Sequence, residues 1–267
     1  MRKSPKEIEI EKEILSRLNG KTRIAASLIF NDAEAQALQN YANTVSIKRL
    51  GFNDHGPVHM RKTALNALIM FDLLQQAGIK YFLEEEMIGT SEESRVAVLI
   101  SSLIHDVGMA IGRNSHEFLG VILAMPIIER TLSEVYTEDI EKKTMVRSLI
   151  VESISGHMVT QDIHSLEAGL VLIGDGCDME KGRARIAFLL SRTPKVGDIH
   201  KYSANSIQKV EIIKGEEKPI RIIVAMTESV GFFQIEQILL PKILSNPVKP
   251  YIELYGHVTG EEMRRYL

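Results

Sequence analysis

The chain has 267 residues, 45% hydrophobic and 25% charged, a balance that supports a substantial buried core and fits an ordinary globular protein. A net charge of -3 offers no basic stripe of the kind that nucleic acid or a membrane surface needs, so neither partner is expected. The single cysteine, Cys177, excludes an intrachain disulfide framework and reads as a small buried residue of a reducing compartment. The opening MRKSPKEIEIEKEIL mixes charges where a secretory leader needs an apolar run, and no apolar stretch approaches the ~20 residues that span a bilayer. A cytoplasmic protein is expected.

Periodicity predicts two short amphipathic helices over 5–19 and 32–46, the first stopped by Gly20, both packing on the main body. A longer helix follows Pro57, with Ala64, Leu65, Leu68, Phe71 and Leu74 on one face, which puts His59 in its first turn. Thr90 and Glu93 form a capping-box pattern ahead of SRVAVLISSLIHD, so His105 and Asp106 fall at that helix's C-terminal end. Asn114 with Glu117 reads as another cap, placing His116 at the start of a helix that Pro126 kinks or restarts. Thr137 is expected to cap a helix that ends at Gly156 and delivers His157 just beyond it.

Ser165 is expected to cap SLEAGLVLIGDGCDM, where Gly169, Gly174 and Gly176 cost roughly 1 kcal/mol each relative to alanine and so imply close approach by a neighbour. Beyond about residue 200 the texture turns strand-like. Two β runs in VEIIKGEEKPIRIIVAM meet at a turn near Gly215, QIEQILLPKIL reads as a helix and PYIELYG as a third strand. The expected organisation is N-terminal helices over 1–48, a helical domain over 49–200 that carries His59, His105, Asp106, His116, His157 and Asp175, and a small ββαβ appendage over 201–267. The fold class is therefore mostly α with a small C-terminal α+β unit. That unit suits oligomerisation, lid formation or effector binding, and a homo-oligomer is expected from its extended runs.

The chemistry starts from the adjacent pair His105-Asp106 in LISSLIHDVGMAIG, which can bind a divalent ion if other ligands arrive from elsewhere in the fold. His59 in NDHGPVHMRK, His116 in NSHEF, His157 in ISGHM and Asp175 in LIGDGCD are the candidates. A lone histidine is more often a satisfied core residue than a ligand. Six such residues at helix ends and faces point to a metal centre, and without a second cysteine the set suits manganese, iron, nickel, magnesium or zinc with water completing the shell.

His55 either faces the same cleft or caps the turn before Pro57, and His164 reads as structural or supporting. Asp178 either orients a ligand or pairs with Lys181 or Arg185. Among the cations beside the proposed ligands, Arg61, Lys62, Lys181, Arg183 and Arg185, the best placed to clamp a phosphate are Lys62 and Arg183.

The order His59, His105-Asp106, His116, His157, Asp175 resembles the HD-domain superfamily of metal-dependent phosphohydrolases over about residues 50–190, carried by NDHGPVH, LIHDVG and LIGDGCDMEKGRAR. His59, His105, Asp106 and Asp175 match its four core ligands; His116 and His157 match the additional histidines of members that hold two metals. The resemblance implies a helical HD core and a dinuclear centre, with Asp106 bridging, His59, His105 and Asp175 on one ion, and His116 and His157 on the other. There is no GYP tripeptide near His157, and MVTQD stands where the HD-GYP subgroup has a second histidine and glycines, which sets the chain apart from that subgroup.

The implied activity is hydrolysis of a phosphate ester, of a nucleotide or related small compound, by a metal-activated water. Asp106 and His105 would be catalytic, with Lys62, Arg183 and His55 binding substrate. Two other activities compete: a dinuclear-iron oxygenase using the same six ligands, and a nucleotide-binding regulator without catalysis. The complete ligand set argues against the regulator, whose site should have decayed.

Overall fold

Ser4 and Glu7 close a capping box ahead of Pro5, and α1 (Pro5–Ser16) follows with Ile10 and Ile14 buried. The structure, a computed structural model, describes residues 3–182 and 199–267; Arg183 and Arg185 lie outside the described residues. Gly20 does not simply stop α1. It opens a second helix, α2 (Gly20–Asn31), that periodicity did not predict. Asn19 provides no side-chain cap; instead the Glu92 carboxylate accepts the Lys21 backbone N–H at 2.9 Å. An acidic group at a helix N-terminus is favourable both as acceptor and by its charge, and this one comes from 71 residues away.

Asp32 caps α3 (Ala33–Thr44), and after a wide turn at Val45–Leu50 the chain enters α4 (Pro57–Gln76) with proline in its first turn. A short α5 (Phe82–Glu85) precedes α6 (Ser91–Ile104), whose Thr90–Glu93 capping box is formed as expected. A 3-10 turn (Val107–Ala110) links it to α7 (His116–Tyr136). Here the N-cap is Ser115, left-handed at φ 55° and without a side-chain bond, so Asn114 does not cap. Pro126 does not restart α7, which runs through it at an exposed position. Thr137 closes α7 at φ 36°, and it is Asp139 that caps α8 (Ile140–Ser155) by accepting from the Lys142 backbone. Ser165 caps α9 (Leu166–Cys177) as expected, accepting from Ala168 at 3.1 Å.

The chain resumes with α10 (Ile199–Ser206), which spans the expected boundary at 200/201, and continues directly into β1 (Ile207–Lys214). β1 pairs antiparallel with β2 (Ile220–Met226), which pairs in parallel with β3 (Ile252–Val258). A parallel pair needs a crossover, and residues 229–251 supply it through helical turns at Phe232–Gln234, Ile235–Leu239 and Leu240–Leu244. A two-residue β4 (Arg264–Arg265) adds a fourth strand to the expected ββαβ order. The described chain is thus mostly α with a small C-terminal α+β unit.

Two cores meet on α4. Ala64, Leu65 and Leu68 face a cluster with α1, α2, α6, α7 and α8, whereas Ala67, Met70, Phe71 and Leu74 face α9 and the sheet. All twelve residues of α9 are buried, including Cys177, whose thiol burial pushes up. No helix among the described residues is long and apolar enough to cross a membrane.

Within the C-terminal unit Glu253 is fully buried and accepts backbone N–H groups of Glu217 and Lys218 together with the Arg221 guanidinium. Burial opposes its charge, but the Lys218 N–H, Arg221 and the Glu217 N–H prevail, taking the carboxyl from 4.5 to about 2. A carboxyl lowered on folding stabilises above its unfolded pKa, and that stability is lost as pH falls through the folded value. Urea unfolding should therefore show wild-type stability falling between pH 4.5 and about 2, while Glu253→Gln starts roughly 1–3 kcal/mol lower at pH 7 and loses less over the same range. Parallel pH profiles would contradict this role.

Candidate metal centre

Each residue of the cluster is delivered by a helix end. His59 sits in the first turn of α4, His105 is the C-cap of α6, and Asp106 follows at φ -100°, ψ 6°, a sparsely occupied region common at functional sites. His116 is the first residue of α7, His157 follows the Gly156 cap of α8, and Asp175 lies in the last turn of α9. Glycines set the spacing. A Cβ on Gly108 would lie 1.9 Å from the His116 carbonyl oxygen and 2.6 Å from Gly120 N, and one on Gly174 would lie 2.9 Å from the Thr63 carbonyl oxygen. The first contact seats the 3-10 turn against α7, and the second brings Asp175 down onto α4.

The six side chains converge. The Asp106 Oδ2 atom lies 3.3 Å from His59 Nε2 and 3.5 Å from His105 Nε2, while Oδ1 lies 3.3 Å from His116 Nε2 and 3.5 Å from His157 Nε2. Asp175 Oδ1 joins the first pair, 3.1 Å from His59 Nε2 and 3.8 Å from His105 Nε2. Two groups that could hold a cation result: His59, His105 and Asp106, and Asp106, His116 and His157, with Asp106 common to both.

The far nitrogens fix the tautomers. Carbonyl oxygens of Ser102, Arg113 and Ile154 lie 2.9, 2.8 and 2.6 Å from Nδ1 of His105, His116 and His157, and Asp178 Oδ2 lies 2.7 Å from Nδ1 of His59. Those oxygens only accept, so each Nδ1 carries a proton and each Nε2 of a neutral ring presents a lone pair. Burial pushes the His105 imidazolium down to about 3, so that ring is neutral. Its Nε2 is buried without a hydrogen-bond partner. His116 and His157 bring their Nε2 atoms within 3.1 Å, too close for both to carry protons. Imidazole nitrogens and carboxylate oxygens converging in a buried site fit a divalent cation by donor type.

The candidates for substrate contact fall differently. His55 is buried, with Nδ1 2.7 Å from the Asn53 carbonyl and 2.9 Å from Ser46 Oγ, and its ring centre is 5.8 Å from that of His59. Lys62 is half-buried, 4.0 Å from Glu180. Arg183 lies outside the described residues, as does Arg185. Arg61 is a buried strut, bonded to Glu11, Gln36, Gln39 and the Pro57 carbonyl, which leaves it no phosphate to clamp. Asp178 orients His59, and His164 is exposed with its backbone N–H on Glu152.

Two residues escaped the sequence reading. Glu117 sits 3.3 Å from His116 Nδ1 and takes the Thr160 hydroxyl at 2.9 Å. Lys242, in Leu240–Leu244, donates to Asp175 Oδ2 and to the His157 carbonyl. A single cation inside the apolar run ILLPKIL was the available signal, since lysine is rarely buried unless paired.

Against known proteins, the chain is 33% identical over 254 residues to the uncharacterized protein MJ1020 of Methanocaldococcus jannaschii, covering 95% of this chain and 96% of the relative. The chain belongs to the MJ1020 family. No protein-family model matches it, and no solved structure does. The helical architecture and the buried histidine–aspartate cluster are compatible with an HD-type metal site.

The backbone atoms facing Gly108 cannot swing aside, so Gly108→Ala should shift the 3-10 turn away from α7 and cost roughly 1–3 kcal/mol in urea unfolding. An unchanged midpoint would contradict the packing described.

Proposed function

We propose that this protein is a metal-dependent phosphohydrolase of the HD-domain type, acting on a small phosphate ester of the nucleotide class. The observation that carries the reading is the division of Asp106: its two carboxylate oxygens face two separate sets of imidazole Nε2 atoms. His59, His105 and Asp175 would hold one cation and His116 and His157 a second, with Asp106 shared. Divalent cations so held lower the pKa of bound water toward neutrality and orient phosphoryl oxygens for in-line displacement.

The protein's own groups supply the rest. Four oxygen atoms that accept from Nδ1–H keep the rings from rotating and select the tautomer in which a neutral ring turns an Nε2 lone pair inward. His105 and His157, each about 1% exposed or less, line a buried floor, whereas His55, Asp175 and Asp178 at 7–8% form the edge nearest solvent. Lys62, the cation of α4 that solvent reaches, and His55 are the groups assigned to substrate from that helix and the turn before it.

The test is phosphate release from a panel of nucleotides and phosphomonoesters, using protein stripped with chelator and reloaded with Mn2+. Activity should return with metal, and Asp106→Ala should lower it by more than about 100-fold, beyond the 10- to 100-fold usual for outer-shell partners. Full activity in stripped protein or in Asp106→Ala would overturn the reading. Dioxygen consumption by iron-loaded protein, without phosphate release, would replace the reaction while keeping the centre.

A further inference from the structure

Lys242 comes from the C-terminal unit yet ends inside the cluster built by the helical body. It is 7% exposed, within the crossover that joins β2 to β3. Its stem crosses Gly176, where a Cβ would lie 3.1 Å from Lys242 Cδ and 3.2 Å from Leu239 Cδ1. The glycine that looks costly inside α9 therefore leaves the channel through which the lysine passes. Its ammonium meets two acceptors: Asp175 Oδ2 and the His157 carbonyl, the latter at 3.0 Å.

These contacts divide Asp175 as the histidines divide Asp106. Oδ2 is taken by the ammonium, and Oδ1 faces His59 and His105. We propose that Lys242 is a positioning residue of the metal centre: it acts through Asp175, holding that carboxylate to present one oxygen to the cation, and thereby makes docking of the C-terminal unit part of metal binding. An aliphatic side chain would bury more cheaply at this position than an ammonium, so packing alone does not account for a lysine here. The inference rests on the metal-centre reading and goes beyond it, since it assigns the C-terminal unit a role in the site.

The experiment measures Mn2+ affinity of chelator-stripped full-length protein by competition, in wild type, Lys242→Met, Asp175→Asn and the double variant. Lys242→Met should bind Mn2+ about 10- to 100-fold more weakly, and Co2+ bound to it should show altered d–d bands. In the Asp175→Asn background the lysine has nothing left to position, so the double variant should match Asp175→Asn. Wild type that binds no Mn2+ would refute the metal-centre reading itself. Wild type that binds, with Lys242→Met binding equally or more tightly, would refute only the role of Lys242. Should Lys242→Met fail to fold by circular dichroism, the double variant, which carries neither buried charge, decides: a further loss relative to Asp175→Asn contradicts the proposal.

Discussion

One buried carboxylate, Asp106, faces four imidazole Nε2 atoms within 3.3–3.5 Å, and the arrangement of the helical body can be read as what it takes to hold it there. A carboxylate at 2% exposure is costly unless its partners are fixed. They are fixed from behind, by carbonyls of Ser102, Arg113 and Ile154, and by Asp178. Three of these acceptors are backbone groups at or next to helix ends, where carbonyls or turns lack intrahelical partners. Helix termini thus contribute both the clustered side chains and the groups that orient them.

The scaffold keeps those termini in register by contacts remote from the chemistry. Arg61, two residues after His59, draws Glu11 of α1 and Gln36 and Gln39 of α3 onto α4. Gln39 in turn donates to the Leu103 carbonyl, two residues before His105. The N-terminal helices therefore brace both ligand-bearing elements. On the other side, Gly174 lets α9 approach α4 closely enough for Asp175 to reach the same centre. A side chain at either glycine contact, or loss of the Arg61 strut, would move a ligand without touching it.

How much of this was legible in the sequence follows from where each determinant lies. The capping box at Thr90–Glu93 and the Ser165 cap are local, so the elements delivering His105 and Asp175 could be read from a few residues. α2 could not, because its N-terminus is capped by Glu92 from a distant helix. Asn114 and Thr137 were eligible caps by residue type, but the chain turns through left-handed Ser115 and through Thr137 at positive φ, which moves the starts to His116 and Ile140. The glycines of α9 announced close approach but not the approaching partner: Thr63 and Ala67 at Gly174, Asn246 at Gly169, and Lys242 at Gly176. The candidate ligands were visible by residue type, because metal chemistry restricts the choice; Lys242 was not, because a lysine's role depends on what it meets.

Four histidines turn Nδ1 outward to acceptors and Nε2 inward to the centre where a cation would bind. Long-range 1H–15N spectra of the imidazoles, taken on chelator-stripped protein and again after adding Zn2+, test this most directly. Zn2+ should shift Nε2 of His59, His105, His116 and His157 to the coordinated position with Nδ1 still protonated, while His164, His200 and His257 stay unmoved. Nε2 atoms that remain protonated, or unshifted, in the presence of Zn2+ would contradict it.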